Sequence, residues 1–161
     1  MMRYAVLALL TSLLLTNCSK NNSSTNSQGT LSATVGSSAF TANQTFGAYY
    51  SSLSTMTVIG LVPQGKDSTI LQLSLPYPLT VDTTRSSDNT SFGLSYYTRS
   101  GSKSYDAFAG NGHAIFNISL FDTVNHKLSG TFSGTLLNDL NPSTDSVVIT
   151  NGKFTTAYSV Q

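Results

Sequence analysis

The chain has no tryptophan, a single cysteine, and acids that are all aspartate: seven of them, with no glutamate anywhere. One cysteine excludes an internal disulfide and a thiolate metal cluster. The missing glutamate removes the bidentate residue that closes an EF-hand calcium loop. Eight Lys or Arg against seven Asp give a net charge of +1, so the basic face that grips a phosphate backbone is absent and nucleic acid is not an expected partner. Long apolar runs are missing too. The longest, Ala5–Leu15, has eleven residues, against about 20 for a membrane-spanning helix.

That short run follows Arg3 and has the length of a signal-peptide h-region. The tetrapeptide Leu15-Thr16-Asn17-Cys18 after it offers no small-residue cleavage site and resembles a bacterial lipobox, with Cys18 as the acylated residue. Cleavage there makes 1–17 a lipoprotein signal peptide. More than one acyl chain on Cys18 gives lasting membrane anchorage, at about 0.8 kcal/mol per buried methylene. The next stretch, "SKNNSSTNSQG", is polar and without large apolar groups, so 18–29 read as a lipidated cysteine on a flexible tether. Residues 30–161 form one domain.

What is abundant is serine and threonine, 48 of the 161 residues. Together with scarce Ala, Lys and Glu, this favours strands over helices. Period-2 alternation recurs: Leu31-Ala33-Val35; Leu71-Leu73-Leu75; Phe92-Leu94-Tyr96; Ala114-Phe116-Ile118-Leu120; Leu128-Phe132-Leu136. "STMTVIGLV" (54–62) is apolar on both faces and reads as a central strand. Residues 81–90 read as a loop, and Asn151-Gly152 as the turn of a final hairpin. The expected fold is all-β: an antiparallel β-sandwich of about ten short strands in hairpin order, or alternatively a flattened up-and-down β-barrel.

"ATVGSSAF" (33–40), "FDTVNHKLSGTFSG" (121–134) and "ITNGKF" (149–154) resemble a family of small Bacteroidetes-type outer-membrane lipoproteins of unknown function. The resemblance implies lipidation, a β body and an outer-membrane address, on either the periplasmic or the cell-surface face. It implies no catalytic residue.

Candidate sites are sparse. His113 and His126 lack paired ligand spacing. Asp139, Asn141, Ser143 and Asp145 stand at every second position, echoing a calcium loop, but Pro142 and the missing Glu speak for a polar turn. No G-x-S-x-G elbow is present, and nothing in the order of residues brings two Asp together for glycoside chemistry. No cofactor and no metal is expected. Asp67-Ser68, Asp82-Thr83, Asp122-Thr123 and Asp145-Ser146 resemble O-glycosylation acceptors.

Tyr49-Tyr50 and Tyr96-Tyr97 are the candidates for partner binding. Strand neighbours point to opposite faces, so one tyrosine of each pair should meet solvent, offering rigid area and a hydroxyl. The expected role is a non-catalytic binding or structural module for an envelope protein or glycan. The alternatives are a small apolar ligand carrier, which needs a pocket above roughly 300 Å³, and a hydrolase, which needs a histidine in reach of a Ser and an Asp.

Overall fold

The computed structural model describes residues 29–64, 67–87, 92–98, 103–108, 112–140, 142 and 144–161. Residues 1–28, which hold Cys18 and the stretches expected to be a signal peptide and most of a tether, lie outside the described residues, as do Asn141 and Ser143. Eleven strands follow in order: β1 Thr30–Val35, β2 Ser38–Thr41, β3 Gln44–Tyr50, β4 Thr55–Gln64, β5 Asp67–Pro76, β6 Thr84–Ser86, β7 Gly93–Thr98, β8 Lys103–Phe108, β9 His113–Asp122, β10 Lys127–Asn138 and β11 Ser146–Val160. The one helical segment among the described residues is a single 3-10 turn, Ser51–Leu53. The body is all-β, as the composition implies.

Two walls face each other. One runs β2-β1-β11-β10-β9-β6, the other β3-β4-β5-β7-β8. They meet at two corners because the two longest strands each change partner along one edge. β11 pairs with β1 over Ile149–Thr155 and then with β3 over Tyr158–Val160. β10 pairs with β9 up to Thr135 and then with β8 at Leu137 and Asn138. The ladder therefore closes through β3-β4-β5-β7-β8-β10-β11, with β1–β2 and β9–β6 as flaps on the first wall. Sandwich and flattened barrel become one object, its corners made by strands that switch sheets. Most neighbours are hairpin partners; β11 departs from hairpin order by running parallel to β3.

One apolar core fills the space between the walls. Met56 and Val58 of β4, Leu71, Leu73 and Leu75 of β5, and Leu94 of β7 meet Leu31 of β1, Phe116 of β9, Leu128 and Leu136 of β10, and Ile149 and Phe154 of β11. Approach is close at Gly60, where a Cβ would stand 2.9 Å from Leu31.

Three expectations about local structure are overturned. Asn151-Gly152 makes no hairpin: β11 runs straight through it. Thr150 and Asn151 together oppose Ser133 of β10, a bulge with Asn151 at φ 54°, and the buried set changes phase from Ile149 to Gly152, Phe154, Thr156 and Tyr158. Asparagine tolerates the left-handed conformation that such a bulge requires. The glycine is needed because a Cβ there would strike the Phe132 carbonyl and ring.

A second bulge, at Ser119, lies between the pairs Ser129↔Leu120 and Gly130↔Ile118. It turns Leu120 outward, 42% exposed, instead of placing it with Ala114, Phe116 and Ile118. Third, the stretch 81–90 contains the edge strand β6 and the buried Ser87, whose hydroxyl accepts a hydrogen bond from the Ala114 amide at 2.9 Å. Strand β8 had no counterpart in the sequence reading; its Tyr105 and Ala107 face the core.

Candidate interaction surfaces

The register of the second wall shows which side chains share its outer face. Phe46 of β3 lies opposite Ile59 of β4, and Gln44 opposite Leu61. Leu61 lies opposite Ile70 of β5, and Ile70 opposite Tyr97 of β7. Same-face partners across an antiparallel pair stand with Cβ atoms about 5 Å apart. Tyr50, Ala48 and Phe46 on β3, Ile59 and Leu61 on β4, Ile70 on β5 and Tyr97 on β7 thus make one continuous apolar stripe. Phe46, Tyr50 and Tyr97 are exposed and the other members half-buried. Gln72, Ser74 and Ser95 border it. The two-faced apolarity of "STMTVIGLV" is real, but only its Met56 and Val58 face is covered.

The tyrosine pairs split as strand geometry requires. Tyr50 and Tyr97 face solvent, 40% and 38% exposed, three strands apart on this stripe. Tyr96 turns inward to Tyr105, ring centroids 6.3 Å apart. Burial, and then its neighbour Tyr105, pushes its hydroxyl pKa up. Tyr49 turns to the end of the barrel. There its ring centroid lies 4.4 Å from Tyr77, Tyr77 lies 6.0 Å from Phe121, Phe121 stacks on Tyr158 at 6.0 Å, and His126 covers Tyr158 at 5.1 Å. Sequence distance hid this cluster, because its five rings come from five separate segments.

The acidic candidates are engaged. Asp145 accepts hydrogen bonds from Lys103 Nζ at 3.0 Å, from the Tyr105 hydroxyl at 3.1 Å and from Asn138 Nδ2 at 3.0 Å. The Lys103 bond leads in holding its carboxyl below the usual aspartate range. Asp139 is lowered chiefly by a hydrogen bond from Asp106, then by Ser104. Asp106 and Asp139 are two carboxyl groups that the sequence left apart. Among the described residues no three His, Cys, Asp or Glu stand close enough to hold a metal ion.

The histidines lie apart. His126 belongs to the aromatic end, at φ 50° in the β9–β10 turn. The Nδ1 of His113 stands 3.5 Å from Ser86 Oγ, the outer limit of a hydrogen bond. Of the glycosylation-like hydroxyls, Thr83, Thr123 and Ser146 are exposed at turns or a strand start.

A small pocket between Leu75, Phe92, Phe116 and Ile118 on its inner side and Thr80 and Thr83 at the surface holds about 10 Å³, near the volume of one water. Larger clefts open at the surface. One of about 360 Å³ lies between the β2 edge and the second wall, lined by Phe40, Val62, Thr69 and Tyr96. Another, of about 400 Å³, crosses the outer side of the first wall at Ile115, Thr131 and Lys153. Family models, curated proteins and solved structures all lack a match to this chain.

Proposed function

We propose that this chain is an outer-membrane lipoprotein, anchored through Cys18, whose β body is a non-catalytic module that binds a protein partner. The observation that carries the reading is the uncovered stripe Tyr50-Ala48-Phe46-Ile59-Leu61-Ile70-Tyr97. A sheet face normally sends Ser and Thr to water, as the first wall does with Thr131, Thr135 and Thr155. Aliphatic residues in adjacent register instead favour a partner that removes them from water, at about 25 cal/mol per Å². The exposed rings of Phe46, Tyr50 and Tyr97 are joined by half-buried aliphatic side chains into one apolar face, which favours a protein partner over isolated ring-stacking on a glycan. Leu71, Leu73, Leu94, Leu128 and Leu136 fill the space between the walls, and the clefts of about 360 and 400 Å³ lie open to solvent. A carrier encloses most of its ligand, so this favours a binding face over a carrier.

Photo-crosslinking in whole cells from position 46 or 97, with position 131 on the other wall as control, tests this. An adduct of defined mass from 46 and 97 but not from 131 is expected. In the double variant Phe46→Ser/Leu61→Thr, the adduct from 97 should be lost while the melting temperature shifts by only a few degrees. Adducts from 131 alone would sink the assignment. Protease added to intact cells, with lysed cells as control, reads which face of the membrane carries the domain.

A further inference from the structure

We infer that the aromatic end of the barrel rests on the lipid surface itself, so that the body is seated on the membrane. The inference rests on the proposed acylation of Cys18. Only eleven residues separate Cys18 from Thr30, a span of at most about 40 Å when fully extended. The chain enters the fold beside Thr155 and Thr156 of β11: Thr30 pairs with Thr155, and a Cβ on Gly29 would touch Thr156. That is four to five residues before the end of β11 at Val160, so the chain enters the fold toward the end where the aromatic rings gather.

Hydrogen bonds tie that end together. The Tyr158 amide donates to the His126 carbonyl, the Tyr77 amide to Ser54, the Gln161 amide to Tyr49 and the Ser51 amide to Gln161. The turn after β3, the segment after β5, the β9–β10 turn and the C-terminus therefore form one surface. It presents Leu53, Tyr77, Leu120, Val124 and Val160, all exposed apolar side chains.

The opposite end has another character. Among the described residues it carries the Gly36-Ser37 turn, the ion pair of Lys103 with Asp145, and Asp139. Exposed apolar tips around Tyr77, whose ring is open to the surface while Tyr49 and Tyr158 pack behind it, match the pattern of the bilayer interface. Seated this way, the stripe of the second wall stands beside the membrane and stays open to a partner.

Val124 and Leu140 make a matched pair of probe sites, 87% and 82% exposed at opposite ends. Acylation consumes the native thiol, so Val124→Cys or Leu140→Cys carries the one reactive thiol of the lipidated chain. Each is labelled with bimane and reconstituted into phosphatidylcholine–phosphatidylglycerol vesicles containing a spin-labelled lipid. Quenching of about twofold or more at position 124 and none at 140 is expected. Adding Leu53→Ser and Leu120→Ser should at least halve the quenching at 124.

Equal quenching at both positions, or none at either, would overturn the seating. So would quenching at 124 that the serine substitutions leave unchanged, because the tether alone would then account for it. Concentration-dependent self-quenching at 124 without lipid quenching would assign the surface to a second copy. Mass spectrometry of Cys18 and vesicle flotation read the anchor separately, so a failed anchor is not mistaken for a failed seating.

Discussion

At the scale of single residues, the polar contacts set how this fold responds to acid. Asp122 is lowered first by the Asn125 amide and Asp145 by Lys103. A carboxyl whose folded pKa lies below its unfolded value stabilises the fold fully above that unfolded value, about 3.9, and loses the contribution as pH falls through the folded value. The melting temperature should therefore hold from neutral pH to about 5 and fall below about 4. Asp145→Asn should melt lower than the parent at pH 7 and show a shallower decline between pH 5 and 2. A decline as steep as the parent's would remove Asp145 from this account.

Thr45 gives the opposite kind of test. It is buried, and its hydroxyl has no hydrogen-bond partner among the described residues. Thr45→Val keeps the shape and removes the unmet hydroxyl, so urea unfolding should show a gain of about 1 kcal/mol.

At the scale of elements, the two bulges deserve comparison with the alternation around them. Side chains alternate with period 2, so one extra residue sends everything after it to the other face. In β11 the switch at Thr150–Asn151 lets Ile149 and Phe154 share one interior. Deleting Thr150 should turn Phe154, Thr156 and Tyr158 outward, and cooperative thermal unfolding should vanish. A milder probe is Asn151→Val, which places a β-branched residue at φ 54°. Its expected cost is about 1–2 kcal/mol in the urea midpoint, with Asn151→Gly near neutral. Edge strands follow the same logic. β6 is three residues long and carries Arg85, both of which discourage pairing with another sheet.

For the molecule as a whole, closure depends on the last strand. β11 joins β1, β3 and β10, pairing residue 155 with residue 30. Such long-range pairing places folding on the order of milliseconds to seconds, readable by stopped flow. Deleting Tyr158–Gln161 removes the ladder to β3, the Gln161–Tyr49 and Ser51–Gln161 bonds and a buried ring. The corner should open at a cost of about 3–5 kcal/mol, a large share of the 5–15 kcal/mol typical of a domain. A urea midpoint near the parent's would mean that the ring is held closed elsewhere.

The sequence by itself determined the all-β class, the inward sets Leu71-Leu73-Leu75, Phe92-Leu94-Tyr96 and Leu128-Phe132-Leu136, and the splitting of each tyrosine pair, because strand alternation is local backbone geometry. It could not separate a hairpin from a bulge at Asn151-Gly152, since both draw on the same left-handed conformation. Nor could it show that "STMTVIGLV" is fully covered on one face and only half-covered on the other, or that rings from five segments meet at the end where the chain enters. Those outcomes depend on which wall lies opposite which face. That is settled where β10 and β11 change partners at the corners, through contacts between residues far apart in the chain that no local pattern encodes.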